Sequence, residues 1–274
     1  MKRSIKSIVA ATAAVFMCAV PTIASVANLP AANSITASAY YTPNAFADFE
    51  DSWTPEVTGL TNFGAPINLG HVDYQLDQSA KTATIKGIDN PDSRIKIPAR
   101  LKINGQYYNI TKIDNGAFQN KDGKRLPDGS NAPKGAALTK IDLSAASYLT
   151  TIGNEAFQNC TSLTSITIPA SVTYIGTKAF ENSGLQTIRL ERVSAYSYKE
   201  LIIKDRAFAN CTRLTHITNN VTRFEKVAYG VVYDSSSSNA FDDCHKSNIT
   251  IGTSYRVIGY KEQFVNNFKD TFNF

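Results

Sequence analysis

The sequence predicts an α/β solenoid with one short parallel strand per coil, and three observations carry that expectation. An Ala-Phe pair recurs at Ala117-Phe118, Ala156-Phe157, Ala179-Phe180, Ala207-Phe208 and Ala240-Phe241. In four of these units an Ile stands four residues before the Ala: Ile113, Ile152, Ile175 and Ile203. After the Phe comes an alternating Leu-x-x-Ile-x-apolar segment, as in Leu163, Ile166, Ile168 and again in Leu185, Ile188, Leu190. The Phe-to-Phe intervals are 39, 23, 28 and 33 residues, so the shortest is the bare unit and the others carry insertions.

Taken from its start, the chain opens Met1-Lys2-Arg3-Ser4-Ile5-Lys6, runs from Ile8 to Val20 in apolar or small residues, breaks at Pro21 and reaches Ser25-Val26-Ala27. A charged head, a short apolar stretch and a small-residue site predict a signal peptide over residues 1–27. Cleavage is expected after Ala27, with Ala39 as the alternative. Export removes Lys2, Arg3 and Lys6 and takes the net charge from +5 to 5 − 3 = +2 over the remaining 247 residues. That weak balance gives no reason to expect nucleic acid. No later apolar stretch is long enough to span a membrane, so the mature chain is expected to lack a transmembrane segment. Residues 28–68 are rich in Ala, Ser, Thr, Asn and Pro and are read as a flexible leader, with Trp53 as a residue that docks on the domain.

Residues 69–112 read as a β-rich N-terminal cap. Tyr74 and Leu76 alternate before Gln78-Ser79, and Ala83 and Ile85 alternate after it, which predicts a hairpin. Ile95-Lys96-Ile97-Pro98 is a further strand, and Leu101 to Ile110 folds back around Asn104-Gly105. Such strands would close the exposed edge of the first coil. The coils occupy residues 113–251. Alternation sends Ile166 and Ile168 to one face and Ser165 and Thr167 to the other, and Pro169, which lacks an N–H, ends the strand. The stretch from Ile175 to Asn182 returns the chain as a short helical or irregular turn with Ala-Phe inward. One unit cannot offset the ordering cost of its own backbone, about 1 to 2 kcal/mol per residue, so burial must come from stacking. Lys121 to Gly135 and Ser235 to Ser238 read as loops. Residues 252–274 are expected to form a short helical C-terminal cap, with Tyr260, Phe264 and Phe268 on one helix face.

Cys160, Cys211 and Cys244 each follow a repeat Phe by three residues, so they occupy one structural column as small buried hydrophobes, although Cys211 and Cys244 sit on adjacent units and are placed to pair. The histidines are His71, His216 and His245, none in a His-Glu-x-x-His pattern or beside a Gly-x-Ser-x-Gly elbow. Cys244-His245 beside Asp242 and Asp243 would suit a metal or a thiol nucleophile, but the column already accounts for Cys244. No catalytic residue, metal or cofactor is expected. Sequons stand at Asn109, Asn159, Asn210, Asn220 and Asn248, and two of them are simply the repeat's Asn-Cys-Thr.

Leu163-Thr164-Ser165-Ile166-Thr167-Ile168-Pro169, Val172, Ile175-Gly176 and Ala179-Phe180 resemble the BspA-type leucine-rich repeat of bacterial surface proteins. The match is strong from about Ile113 to Thr218 and weaker to Ile251, and it departs from the commoner leucine-rich repeat by placing Pro and Val-x-x-Ile-Gly after the strand. The β-rich lead-in is similar too. The resemblance implies a secreted or cell-surface protein without enzymatic activity that engages an extracellular protein or glycan, in adhesion or host interaction.

What the repeat itself offers is surface. Outward strand positions form two columns: Lys140, Ser165, Thr187 and His216, and Asp142, Thr167, Arg189 and Thr218. Parallel stacking sets such residues about 4.8 Å apart, a polar ladder suited to an extended partner or, equally, a solvated face chosen for β propensity. The expected protein is a monomer. Two other readings stand beside it: an envelope-associated scaffold acting through its leader and caps, and a secreted hydrolase using His216 or His245.

Overall fold

Alternation of apolar and polar residues produces the first strands. β1 (Thr36–Ala37), β2 (Glu56–Thr58) and β3 (Ile67–Leu69) precede an antiparallel hairpin of β4 (Val72–Asp77) and β5 (Thr82–Ile88), which buries Tyr74, Leu76, Ala83 and Ile85. β6 (Arg94–Lys96) leads to a second hairpin, β7 (Arg100–Ile103) and β8 (Gln106–Ile113). Its turn is Asn104-Gly105, with φ of 48° and 79°. Two left-handed residues are what a two-residue hairpin demands, and Asn and Gly adopt that conformation at least cost. Strand β8 is shared: one edge takes β5 in parallel, and the other takes β7 and then the first coil.

The coils supply β9 (Lys140–Asp142), β10 (Thr151–Ile152), β11 (Ser165–Ile168), β12 (Tyr174–Ile175), β13 (Thr187–Arg192), β14 (Ile202–Ile203), β15 (His216–Val221) and β16 (Thr250–Thr253). These strands make two parallel ladders. One runs β11-β13-β15-β16, and the other continues β8 through β10, β12 and β14. A third line of backbone bonds joins the Ala-Phe turns. Phe118 N donates to Ala156 O at 2.7 Å, Phe157 N to Ala179 O at 2.6 Å, Phe180 N to Ala207 O at 2.7 Å and Phe208 N to Ala240 O at 2.7 Å. From the coil of Ile152 to that of Ile203, each coil is therefore tied to the next on three sides. This computed structural model describes residues 36–37, 55–69, 72–88, 94–119, 138–192, 201–221, 239–253, 265–266, 268–270 and 272–274, all within the unit Asn33–Phe274. The expected signal peptide, Trp53, His71, the segments Lys121–Gly135 and Ser235–Ser238 expected as loops, Tyr260 and Phe264 lie outside the described residues.

The interior is columnar. Phe118, Phe157, Phe180, Phe208 and Phe241 stack with centroids 4.9, 4.9, 5.0 and 5.1 Å apart and planes within 10° of parallel. That spacing is the strand spacing of a parallel ladder, about 4.8 Å, so the rings simply repeat the backbone. Beside them runs the cysteine column. The Cys160 thiol donates to Phe118 O, Cys211 to Phe180 O and Cys244 to Phe208 O, each at 3.2 Å. All three cysteines are free, and Ser183 fills the intervening unit with its Oγ 3.2 Å from Cys211 Sγ. Burial pushes the Cys160 thiol up, Cys211 to about 12 and Cys244 to about 11.

Two expectations change. The class is strand-rich rather than α/β, because the Ala-Phe segments are turns. Glu155, Lys178 and Arg206 have φ of 56°, 57° and 54°, and Asn159, Asn182 and Asn210 have φ of 63°, 56° and 54°. A left-handed residue on either side of a three-residue stretch leaves no room for an i to i+4 bond, and the turns close through i to i+3 bonds such as Gln158 N to Glu155 O. Among the described residues a 3-10 turn stands at Lys246–Asn248, and α-helical ones are confined to 265–266, 268–270 and 272. There Phe268 and Phe272, four apart, are buried against Phe241 with centroids at 5.7 and 5.0 Å and planes turned by 58° and 75°. The crossed rings end the parallel stack. Lys246 Nζ holds this segment by donating to Phe272 O at 2.8 Å. The second change concerns the leader, expected to run to residue 68. Ordered strands begin earlier, since Val57, Leu60 and Ile67 are buried and β2 pairs in parallel with β7.

Close approach explains the Ile-Gly of the repeat. Asn154 N donates to nothing in its own coil but to the Asn115 Oδ1 of the coil before, at 2.8 Å, and Thr177 N donates to Asn154 Oδ1 at 3.0 Å. The asparagine thus draws the next coil down over itself. A Cβ on Gly176 would lie 2.5 Å from Asn154 N, and one on Gly153 would lie 2.7 Å from Asn115 N. Where Thr177 replaces the asparagine, the following coil carries Lys204 in the glycine's place. At the head of the first coil Asp114 sits between Lys86 and Lys112, the latter 2.7 Å away. Burial opposes its charge, but the hydrogen bonds from Lys112 and Lys86 prevail and hold its carboxyl at about 2.

Phe157→Ala is expected to cost about 3 to 5 kcal/mol in denaturant unfolding, the usual cost of emptying a buried aromatic site; a loss below about 1 kcal/mol would mean the ring is not core. Cys160, Cys211 and Cys244 should resist a thiol reagent at pH 8 while the protein is folded and react as three free thiols once it is unfolded without reductant. Asp114 is ionised in the folded state below its unfolded carboxyl range, so its contribution is complete above about pH 4 and is lost as pH falls towards 2. Asp114→Asn should therefore weaken the protein at pH 5, with the difference from the parent shrinking by pH 2.5, as read by chemical denaturation.

Candidate functional site

The β11-β13-β15-β16 ladder buries one side of each strand and presents the other. Ile166, Ile168, Ile188, Leu190, Ile217 and Ile251 face the core. The pairing register then fixes the outward neighbours. Ser165 pairs with Thr187, Thr187 with His216 and His216 with Thr250, while Thr167 pairs with Arg189, Arg189 with Thr218 and Thr218 with Gly252. Directly paired residues in parallel strands point the same way, so each set is one column on one face. Ser165, Arg189, His216 and Thr250 are exposed, whereas Thr167, Thr187 and Thr218 are half-buried between their neighbours. The Thr218 hydroxyl finds no hydrogen-bond partner.

Lys140 and Asp142 stand differently. They lie on β9, which is beside β11 but forms its ladder with β6, through Arg94 to Lys140, Ile95 to Ile141 and Lys96 to Asp142. Ile95 and Ile141 are buried, so Arg94 and Lys96 share the outward side with Lys140 and Asp142. These two basic residues, and Thr250 at the opposite end, extend the face beyond the residues expected from the repeat. The alternation of Arg94-Ile95-Lys96-Ile97 signals a strand, but not that its partner is the first coil. Strands β13 and β15 are also longer than the short repeat pattern, which adds Glu191 beside Asn220.

Side chains on this face are held by short-range contacts. Ser144 N donates to Asp142 Oδ1 at 2.9 Å, and Thr215 Oγ1 lies 2.8 Å from His216 Nδ1. Both histidines of the hydrolase reading that fall in described positions, His216 and His245, are exposed. Cys244, next to His245, spends its thiol on Phe208 O, and its raised pKa keeps it protonated at neutral pH. A protonated, carbonyl-bound thiol is a poor nucleophile. Among the described residues no three His, Cys, Asp or Glu side chains gather as a metal site, and no helix is long and apolar enough to cross a membrane.

No curated protein matches this chain. Solved structures do, at low identity. The pneumococcal vaccine antigen PcpA is 20% identical with a TM-score of 0.45, over 71% of this chain and 51% of that one. A leucine rich cell surface protein from Faecalibacterium prausnitzii A2-165 is 22% identical with a TM-score of 0.36, over 70% and 55%. A leucine-rich repeat protein from Bacteroides ovatus ATCC 8483 is 19% identical with a TM-score of 0.34, over 58% and 50%. The chain spans about half the length of these structures. A family model described as BspA type Leucine rich repeat region matches residues 129–261 in six copies. With its repeated Leu-x-x-Ile-x-Ile strands, Ile-Gly corners and Ala-Phe turns, the chain carries over residues 129–261 a leucine-rich repeat region of the BspA type.

Proposed function

We propose that this is a secreted or cell-surface protein that binds an extracellular protein or glycan through the outward columns of its parallel ladder, in adhesion or host interaction. The observation that carries the reading is the register. Ser165, Thr187, His216 and Thr250, and beside them Thr167, Arg189 and Thr218, are locked into straight lines by backbone bonds. A preorganised surface loses little conformational freedom on binding, and an extended partner meets the same spacing at every coil. The N-terminal leader sequence and the bacterial surface and secreted setting of the repeat family support export. The strand-rich residues before the first coil and the Phe268-Phe272 segment after the last act as caps, each covering one end of the stack. The chemistry on the face is recognition, since Arg189 and the threonines offer charge and hydroxyls but no activated nucleophile.

Changing Thr167, Thr187 and Arg189 together to Glu is expected to abolish binding of the purified protein to surfaces coated with host matrix or bacterial envelope material, with the unfolding midpoint little changed. Unaltered binding by a folded triple variant would move the contact to the leader and caps, as a scaffold role requires.

A further inference from the structure

We infer that the partner of this face is an anionic polysaccharide, one bearing sulfate or uronate groups, lying across the strands. The inference rests on the binding face proposed above and adds the chemistry of what it takes. Six strands lie side by side in the order β6, β9, β11, β13, β15, β16, which at about 4.8 Å per step gives a face roughly 24 Å long. Its outward residues include Arg94, Lys96, Lys140 and Arg189 against the carboxylates of Asp142 and Glu191. Cations outnumber acids on a protein whose exported chain is otherwise close to balance.

Between the charges stand hydroxyls: Ser165, Thr167, Thr187 and Thr250. A polymer with an acidic group on every sugar or every second sugar meets both, since guanidinium and ammonium groups pair with sulfate or carboxylate and hydroxyls exchange hydrogen bonds with ring oxygens and alcohols. What the face lacks decides against the other occupants. No Trp, Tyr, Phe or Leu projects from the outward positions of these strands in the described residues. A protein partner usually seats an aromatic or aliphatic anchor in its interface core, and a single-stranded nucleic acid stacks its bases on rings. Neutral glycans, too, are gripped through aromatic faces. A long-range, salt-sensitive attraction to a charged polymer needs none of these.

The test uses the purified full-length protein and heparin as the probe, with neutral dextran and poly-glutamate as comparisons. Heparin should bind, the affinity should fall at least tenfold between about 50 and 300 mM NaCl, and dextran should not bind. Arg94→Ser with Lys140→Ser should weaken heparin binding at least tenfold, and Arg94→Lys with Lys140→Arg, which keep the charge, should restore most of it. Heparin binding that ignores salt or survives the Ser pair overturns the inference, as does poly-glutamate binding as tightly as heparin, which would favour an acidic protein instead. If the Ser pair fails to fold, the salt dependence and the dextran comparison on the parent decide alone. Matrix binding that the Glu triple variant abolishes but heparin neither joins nor competes with would sink the polyanion while leaving the binding face intact. Heparin binding untouched by that triple variant would instead overturn the face.

Discussion

Everything in this protein depends on one distance, the step from each coil to the next. It is set by backbone hydrogen bonds on three sides of the coil: the long parallel ladder, the two-residue strands at Ile152, Ile175 and Ile203, and the Ala-Phe turns. Backbone bonds of this kind have little tolerance in length, so side chains at equivalent positions must stack at the same interval. The phenylalanine rings do so at 4.9 to 5.1 Å. The thiols do so by reaching back to a carbonyl of the preceding Phe. Outside, the threonines, Arg189 and His216 line up for the same reason, without any contact among themselves being needed to place them. The ordered outward face is thus a by-product of the geometry that makes the core.

The step also governs what may vary. Insertions of different length separate the coils in sequence, yet the strand register across them is continuous from Ser165 to Thr250. The differing lengths leave the bonds between these coils in place, because those bonds are made by short segments only. At its ends the array meets chain that does not follow the repeat. Strand β8 carries the first coil on β5, and the rings of Phe268, Phe272 and Phe274 turn across Phe241 where a sixth parallel ring would otherwise stack.

Much of this was legible in the residues. The Ala-Phe, Ile-Gly and Leu-x-x-Ile-x-Ile positions identify the coils because each is buried for the same reason in every unit, and the Asn104-Gly105 hairpin follows from the left-handed turn it needs. The outward columns also follow from alternation once strands are parallel and in register. The turn at Ala-Phe was harder. An apolar pair flanked by Lys, Arg, Glu and Asn looks compatible with a helix, and only the left-handed φ at Glu155, Lys178 and Arg206, residues with no special taste for it, rules one out. Tertiary bonds to the next coil impose that conformation, and no local propensity announces it. Likewise, the sequence around Ile95 says strand but not which strand it joins, so Arg94 and Lys96 came to the candidate face only through their pairing with β9. Val57 and Leu60 sit in a polar, Pro-containing stretch where two buried residues are too few to set a period.

The asparagine that reaches under a glycine has a consequence for substitution. Asn115 and Gly153, and again Asn154 and Gly176, act as one lock shared between neighbouring turns of the chain. With asparagine in the turn below, a Cβ at the upper position would lie 2.5 to 2.7 Å from its backbone nitrogen, whereas the turn above Thr177 carries Lys204. A side chain placed at either glycine alone therefore collides with the turn beneath it, so the two residues of a lock are constrained as a pair.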